Sequence, residues 1–162
     1  MKSPVRYLTD ERYTEMPSWE RALHVAASLV GQREEGRNAG PFVTKILGAV
    51  GLGPGFPWCA AFVSYALRKA GYGGGPSHGR AAVRNWAAWA RKEGRIIAKP
   101  ERGCLFYWLN SNLTGHIGFV AQVHEFKVTT IEGNTDDGGS REGDGTYRRE
   151  RPIKGLGFIR LR

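Results

Sequence analysis

The segment "GPGFPWCAAFVSYALRKAG", residues 53–71, decides the fold class and contains one of the two cysteines of the chain. Glycines, prolines and aromatic residues before Cys59 are typical of a loop, and the apolar residues after it recur at helical spacing until Gly71. The segment therefore predicts a helix that begins near Trp58. Two interpretations of Cys59 are open: a small hydrophobe buried on the apolar face, or a nucleophile whose thiolate the helix N-terminus stabilises.

The N-terminal half of the chain repeats this helical pattern. Apolar residues at helical spacing predict three further helices, over residues 18–30, 41–50 and 80–93. Ser18 is a candidate N-cap for the first of them, and Pro41 suits the first position of the second. The sequence therefore predicts a layer of four helices before any strand.

After about residue 95 the apolar pattern changes to the alternation of β-strands. Strands are predicted at residues 104–109, 116–123, 127–134 and 156–161, with a short one in "RIIA" (95–98). The polar stretch 135–152 is predicted to be a long loop between the last two strands. Helices that precede an antiparallel meander indicate an α+β fold, in which N-terminal helices pack on a C-terminal antiparallel β-sheet.

Length and charge limit the functional classes. The 162 residues suit one domain, which we place at residues 18–162 after an N-terminal extension of residues 1–17, and we expect a monomer. The net charge of +9 favours an anionic partner, although a solvated basic surface explains it equally well. Basic residues form no stripe with interleaved aromatics, so no nucleic-acid partner is expected. No apolar run reaches about 18 residues, so no stable membrane insertion is expected.

Three polar residues in the strand region complement Cys59. His116 begins one predicted strand, and Glu132 and Asn134 lie two positions apart on the next, so their side chains face the same way. A carboxylate near His116 would accept its N–H and fix the tautomer. Together these elements supply a nucleophile, a base and an orienting acceptor. A disulfide between Cys59 and Cys104 is possible but not required, and the scattered histidines lack the spacing of a zinc site.

Three motifs together carry a family resemblance. They are "PWCAAFVSYALRKAG" (57–71), "RGCLFYWLNSNLTGHIGFV" (102–120) and "IEGN" (131–134). They resemble the CHAP-domain amidases and peptidases, which belong to the broader NlpC/P60 and papain-like cysteine hydrolases, and the resemblance covers about residues 18–161. It implies a papain-like fold and cleavage of an amide bond in peptidoglycan, the partner from the bacterial cell wall.

The resemblance also implies a role for each motif residue. Cys59 would attack the amide carbonyl, His116 would act as the base, and Glu132 would orient the histidine. Asn134 matches a second polar residue that supports the site. Trp58 is implied to line the substrate groove, with a buried aromatic as the alternative interpretation.

Two departures from the family pattern matter. Many CHAP domains carry a glutamine just before the cysteine that helps to form the oxyanion hole, and the loop "GPGFPW" has none. Residues 40–58 also contain no Asp or Glu, so the calcium site of some relatives is not expected, nor is any other metal or cofactor. The oxyanion-stabilising groups are therefore open at this point.

Several alternatives are open on the sequence alone. The bond cleaved would be that of an N-acetylmuramoyl-L-alanine amidase or of a stem or cross-bridge endopeptidase. The rival classes are a catalytically inactive cell-wall-binding module on the same fold and a basic nucleic-acid-binding protein with Cys59 in its core. The N-terminus lacks the apolar stretch of a signal peptide. We therefore expect synthesis in the cytoplasm and action on the cell wall, in the periplasm or outside. A phage lysin, a secreted effector and a housekeeping hydrolase are all open, and the missing signal favours the first two.

Overall fold

The computed structural model describes residues 10–135 and 143–162. The helices are α1 (Asp10–Glu15), α2 (Ser18–Ser28), α3 (Pro41–Gly48), α4 (Cys59–Lys69) and α5 (Val83–Lys92). The strands are β1 (Ile96–Ile97), β2 (Leu105–Leu109), β3 (Gly115–Val123), β4 (Lys127–Thr135), β5 (Gly145–Pro152) and β6 (Gly157–Ile159). Pro41 occupies the first turn of α3, where its missing N–H is not needed. Gly71, at φ 72°, adopts the left-handed conformation that ends α4.

The strands form one antiparallel sheet within the described residues. Its order is β1-β6-β2-β3-β4-β5, so β2 to β5 are a meander and β6 returns to pair with the free edge of β2. The helices precede this sheet in the chain, and α4, α5 and α2 pack on it. The predicted α+β fold, with N-terminal helices on a C-terminal antiparallel sheet, is confirmed.

Each face of the sheet carries its own apolar cluster. Alternate strand residues point to opposite faces, and the helix-facing set joins α2, α3, α4 and α5 in the main core: Leu105, Ile117, Phe119, Ile131 and Ile159. The other face carries a smaller cluster: Cys104, Phe106, Val120, Val128 and Phe158. His116 and Glu132 lie an even number of residues from Val120 and Val128, so they belong to the face with the smaller cluster.

The structure corrects the prediction for residues 135–152. We predicted a loop, but residues 145–152 form β5, which pairs with β4 in a register that sets Arg151 opposite Val128. The strand was missed because it contains only charged and small polar residues besides Tyr147 and Pro152, so it has no apolar alternation. Part of the predicted loop, residues 136–142, lies outside the described residues.

The helix ends differ from the predictions by a few residues. Pro17 is the N-cap of α2 and Ser18 its first residue, while α5 begins at Val83 rather than at residue 80. The α1 helix falls within the predicted N-terminal extension and was not predicted. The guanidinium of Arg21 in α2 donates hydrogen bonds to the carbonyls of Thr14 and Met16, both at 3.1 Å. The end of α1 is therefore held against α2.

In the described ranges, none of the helices has the length and apolar character needed to span a bilayer.

Candidate active site

Cys59 is the first residue of α4. No side chain caps this end of the helix, and the first backbone N–H groups of a helix have no partner within it. The thiol therefore lies at the positive end of the helix dipole, beside backbone donors. Its residue is 5% exposed, so a small part of Cys59 remains accessible.

His116 is the second residue of β3 and is fully buried. Its cross-strand partner is Trp108 on β2, and the two ring centroids are 5.0 Å apart. The ring of Phe106 lies 6.0 Å away on the same face. These aromatic contacts fix the plane of the imidazole.

Glu132 on β4 is fully buried and lies beside His116. Its Oε2 atom is 2.8 Å from His116 Nε2. Its Oε1 atom accepts a hydrogen bond of 2.5 Å from the Thr130 hydroxyl, two residues earlier on the same face. Arg151 on β5 donates to both oxygens, from Nε to Oε1 at 2.5 Å and from Nη2 to Oε2 at 2.6 Å. The carboxylate thus accepts from three side chains.

These contacts shift the pKa values of the buried pair in opposite directions. Burial alone would raise the pKa of Glu132, but hydrogen bonds from Arg151 and His116 lower it to about 2. Burial alone would lower the pKa of His116, but interactions with Cys59 and Glu132 raise it to about 9. At neutral pH the pair is therefore an imidazolium and a carboxylate.

The two ring nitrogens of His116 have different environments. Nε2 is engaged by Glu132, whereas Nδ1 is buried and forms no hydrogen bond of ordinary geometry within the described part of the chain. Cys59 nevertheless acts on the imidazole, since it is the first of the groups that raise the pKa of His116. Nδ1 is thus the ring nitrogen that is available to interact with the thiol.

Asn134 is buried near the end of β4, in the left-handed region at φ 57°. It follows Glu132 by two residues, and β4 departs from regular pairing between Glu132 and Thr135. We predicted that Glu132 and Asn134 face the same way because we assumed a regular strand. The strand is not regular here, so strand alternation no longer supports that prediction. The support of the site by Asn134 stays a prediction.

Trp58 does not line the groove. Its side chain is fully buried, its Nε1 donates a hydrogen bond of 3.0 Å to Glu34, and its ring packs edge-on against Phe42 and Phe62. A Cβ atom on Gly133 would lie 2.7 Å from this ring, so the glycine allows α4 and β4 to approach closely. The substrate-lining prediction for Trp58 is wrong, and the buried-aromatic alternative holds.

A groove with a cavity volume of about 240 Å³ opens at Cys59. Its walls are mainly apolar and come from the loop before α4, the start of α5 and the turn before β3: Leu52, Phe56, Pro57, Ala81, Ala82, Val83, Arg84, Leu113, Thr114 and Gly115. Phe56 and Leu113 are about half exposed at its rim. A larger cavity, of about 590 Å³, is lined by Arg68, Tyr72 and Arg80 and by none of the predicted site residues.

The second cysteine has a different environment. Cys104 is buried in the smaller apolar cluster, where burial raises the pKa of its thiol to about 12. Both cysteines are free, so the possible disulfide is not formed. Among the described residues, no cluster of three His, Cys, Asp or Glu side chains could hold a metal ion.

The sequence matches the CHAP domain family over residues 51–134, more than half of the chain. The chain belongs to the CHAP domain family, as its motifs predicted. Among curated proteins none is significantly similar to it.

Solved structures share the fold. The crystal structure of Ly7917 is 18% identical and superimposes with a TM-score of 0.51, over 88% of this chain and 62% of Ly7917. A second crystal structure, of Ly7917 "with the hydrolyzing product of MDP", is 16% identical with a TM-score of 0.49, over 88% of this chain and 63% of that one. This chain thus corresponds to less than two thirds of the length of Ly7917.

Sequence reasoning missed Arg151 and Thr130. Thr130 lies two residues before Glu132 on the predicted strand, so strand alternation could have placed it beside the carboxylate. Arg151 lay in the predicted loop. Its strand alternates exposed and partly buried residues in the structure, but the polar residues of "YRRER" (147–151) show no such alternation in the sequence.

Proposed function

We propose that the protein is a cysteine hydrolase that cleaves an amide bond in peptidoglycan through Cys59, His116 and Glu132. The observation that carries this proposal is the buried 2.8 Å contact between His116 Nε2 and Glu132, which leaves Nδ1 for a thiol at a helix N-terminus. A structural role alone does not account for this arrangement, because burying a histidine and a carboxylate together carries a desolvation cost. Membership of the CHAP domain family supports the substrate class.

The proposed reaction is acyl transfer through a thioester. The Cys59 thiolate attacks the amide carbonyl carbon while His116 carries the thiol proton on Nδ1. When the tetrahedral intermediate collapses, the C–N bond breaks and Nδ1–H protonates the leaving amine. His116 then takes a proton from water, which attacks the thioester and releases a carboxylic acid and the thiolate. Glu132 stabilises the imidazolium and, when the ring is neutral, keeps the remaining proton on Nε2.

The first turn of α4 is the proposed oxyanion hole. The backbone N–H groups that follow the nucleophile have no side-chain cap and no partner within the helix. Donors in this position can stabilise the negative charge that develops on the carbonyl oxygen. They take the place of the glutamine that the loop "GPGFPW" lacks.

The apolar groove is proposed to hold the peptide portion of the substrate next to the scissile bond. Leu113 supports this assignment, because a leucine with φ 63° is uncommon and strained positions cluster at functional sites. A charge of +9 favours association with the anionic polymers of cell walls, where we propose the enzyme acts. Whether the bond is that of an amidase or of an endopeptidase is a question for product analysis.

Digestion of purified peptidoglycan, with the products identified by mass spectrometry, tests this proposal. A free lactyl group on muramic acid would identify an amidase, and a new peptide amine would identify an endopeptidase. Peptidoglycan of several cross-link types is used, so that the result does not depend on one wall chemistry. If the folded protein binds these walls but releases no fragment from any of them, the wall-binding module is the better description.

Replacing Phe56 by alanine is expected to raise KM about five- to thirtyfold and to leave kcat nearly unchanged. The half-exposed ring lies at the groove rim, and covering it with substrate is worth about 1–2 kcal/mol, which corresponds to that factor. Phe126→Ala is the matched control, because Phe126 is 75% exposed and lies outside the groove. Equal KM changes in the two variants would remove Phe56 from the proposed subsite.

A further inference from the structure

We propose that Arg151 on β5 is a positioning residue that clamps Glu132 and thereby aims one carboxylate oxygen at His116. This inference rests on the proposed function and extends the three-residue site to a chain of four, from Cys59 through His116 and Glu132 to Arg151. Arg151 lies on β5, in the stretch that the sequence analysis predicted to be a loop, and the proposal gives this strand a role in positioning the site.

The geometry of the clamp is bidentate. Arg151 Nε and Nη2 lie 2.5 and 2.6 Å from Oε1 and Oε2 of Glu132, which is the fork arrangement in which a guanidinium fixes the plane of a carboxylate. Oε2 is shared with His116 Nε2 and Oε1 with the Thr130 hydroxyl. Glu132 therefore cannot rotate without breaking a hydrogen bond to Arg151, and that rotation would also misalign the bond to His116.

The guanidinium is itself held in place. Its central carbon lies 4.9 Å from the centroid of the Trp108 ring and 5.7 Å from that of Phe106. The Trp108 ring also lies beside the His116 imidazole, with centroids 5.0 Å apart. Only 14% of the Arg151 side chain is exposed. One indole thus packs against both the cation and the base, so the clamp and the imidazole have a common support.

Arg151 also keeps the Glu132 carboxyl group ionised. A fully buried carboxylate favours the protonated form, and the hydrogen bond from Arg151 is the largest of the interactions that lower the pKa of Glu132. Among the described residues, the other ionisable or charged groups that face the site are Cys59 at the start of α4 and two residues of β5. Tyr147 lies opposite Glu132, and Arg149 lies opposite Thr130. Arg151 and His116 are the side chains that lower the pKa of Glu132 most.

The test follows the pH dependence of Cys59 alkylation by iodoacetamide, read by peptide mass spectrometry. This readout needs no substrate, so it tests the clamp even if the protein hydrolyses no peptidoglycan. In Arg151→Met the rise of the alkylation rate with pH is expected to begin at higher pH. Without the clamp Glu132 no longer holds the His116 imidazolium, which then stabilises the Cys59 thiolate less. Where peptidoglycan is hydrolysed, kcat is expected to fall about tenfold or more and its acid limb to move the same way.

Two controls separate positioning from a general structural role. Arg148→Met, at an exposed position on the same strand, is expected to leave the alkylation profile unchanged. Arg151→Lys keeps the charge but loses the fork, so an intermediate profile is expected, and this variant decides the question if Arg151→Met does not fold. In a Glu132→Gln background, Arg151→Met is expected to cause no further loss.

Three results would overturn the proposal. The first is a wild-type alkylation profile in folded Arg151→Met. The second is a wild-type profile in Arg151→Lys, which would show that charge without the fork is sufficient. The third is a loss of alkylation rate from Arg151→Met that is equally large in the wild-type and in the Glu132→Gln background. Arg151 would then act on Cys59 independently of Glu132.

Discussion

Cys59→Ala is expected to lower the rate of peptidoglycan hydrolysis by at least about a thousandfold. The variant removes the proposed nucleophile, and losing one member of a coupled nucleophile–base unit abolishes most of the acceleration that the unit gives. The substitution removes one sulfur atom from a helix terminus, so the fold and wall binding are expected to persist. The measurement is the initial rate of soluble fragment release from purified peptidoglycan, with thermal unfolding followed in parallel.

The chain contains a matched control for this substitution. Cys104→Ala removes the other thiol, which lies in the smaller apolar cluster and whose pKa burial raises to about 12. This change is expected to lower stability slightly and to leave the rate within about twofold of wild type when the assay is run well below the unfolding temperature. Hydrolysis by Cys59→Ala at the rate of Cys104→Ala would contradict the proposed mechanism.

Glu132→Gln is expected to lower kcat about a hundredfold or more at neutral pH. The amide keeps the size of the side chain but cannot balance the imidazolium, so the proton held on His116 is less stable. The pKa of His116, about 9 in the native protein, is therefore expected to fall, and the alkaline limb of the rate profile should move to lower pH. The check is the kcat profile between pH 5 and pH 10 for both proteins. An unchanged profile would mean that another group orients the histidine.

The same substitution is expected to lower the free energy of unfolding by about 3 kcal/mol at neutral pH, because it removes the buried carboxylate charge that pairs with Arg151 and His116. The pKa of Glu132 falls from 4.5 to about 2 on folding, so its contribution is complete above pH 4.5 and is lost as the pH falls through about 2. The pKa of His116 rises from 6.5 to about 9, so its contribution is complete below pH 6.5 and is lost as the pH rises through about 9.

Thermal or denaturant unfolding across the pH range measures this difference. The gap in stability between wild type and Glu132→Gln should be largest between pH 4.5 and pH 6.5 and should narrow on both sides. A gap that does not vary with pH would show that the lost stability comes from packing and not from the ionised pair.

The elements that the sequence predicted are those with an apolar face. Helix α4 and strands β3 and β4 bury one or both sides, so their hydrophobic period is visible in the residue order. Because Cys59, His116 and Glu132 lie on these elements, the proposed catalytic residues could be selected before their spacing was known. The distances between these three residues depend on how α4 packs on the sheet, and the local sequence pattern does not determine that packing.

The features that could not be predicted depend on contacts between distant polar residues. Strand β5 carries "YRRER" (147–151), and its pairing depends on the exposed edge of β4 rather than on its own composition. Trp58 directly precedes Cys59 in the chain, yet its ring packs in the core because Gly133 leaves space for it. Neither the position of Arg151 nor the orientation of Trp58 is encoded by local periodicity.

The most direct test of the central claim is alkylation of the wild-type protein by iodoacetamide at pH 6, with residual hydrolysis and peptide masses measured on the same samples. The account predicts that Cys59 is modified while Cys104 is not, and that peptidoglycan hydrolysis falls in proportion to the modified fraction of Cys59. Full modification of Cys59 with hydrolysis unchanged would contradict the account, because Cys59 could not then be the nucleophile.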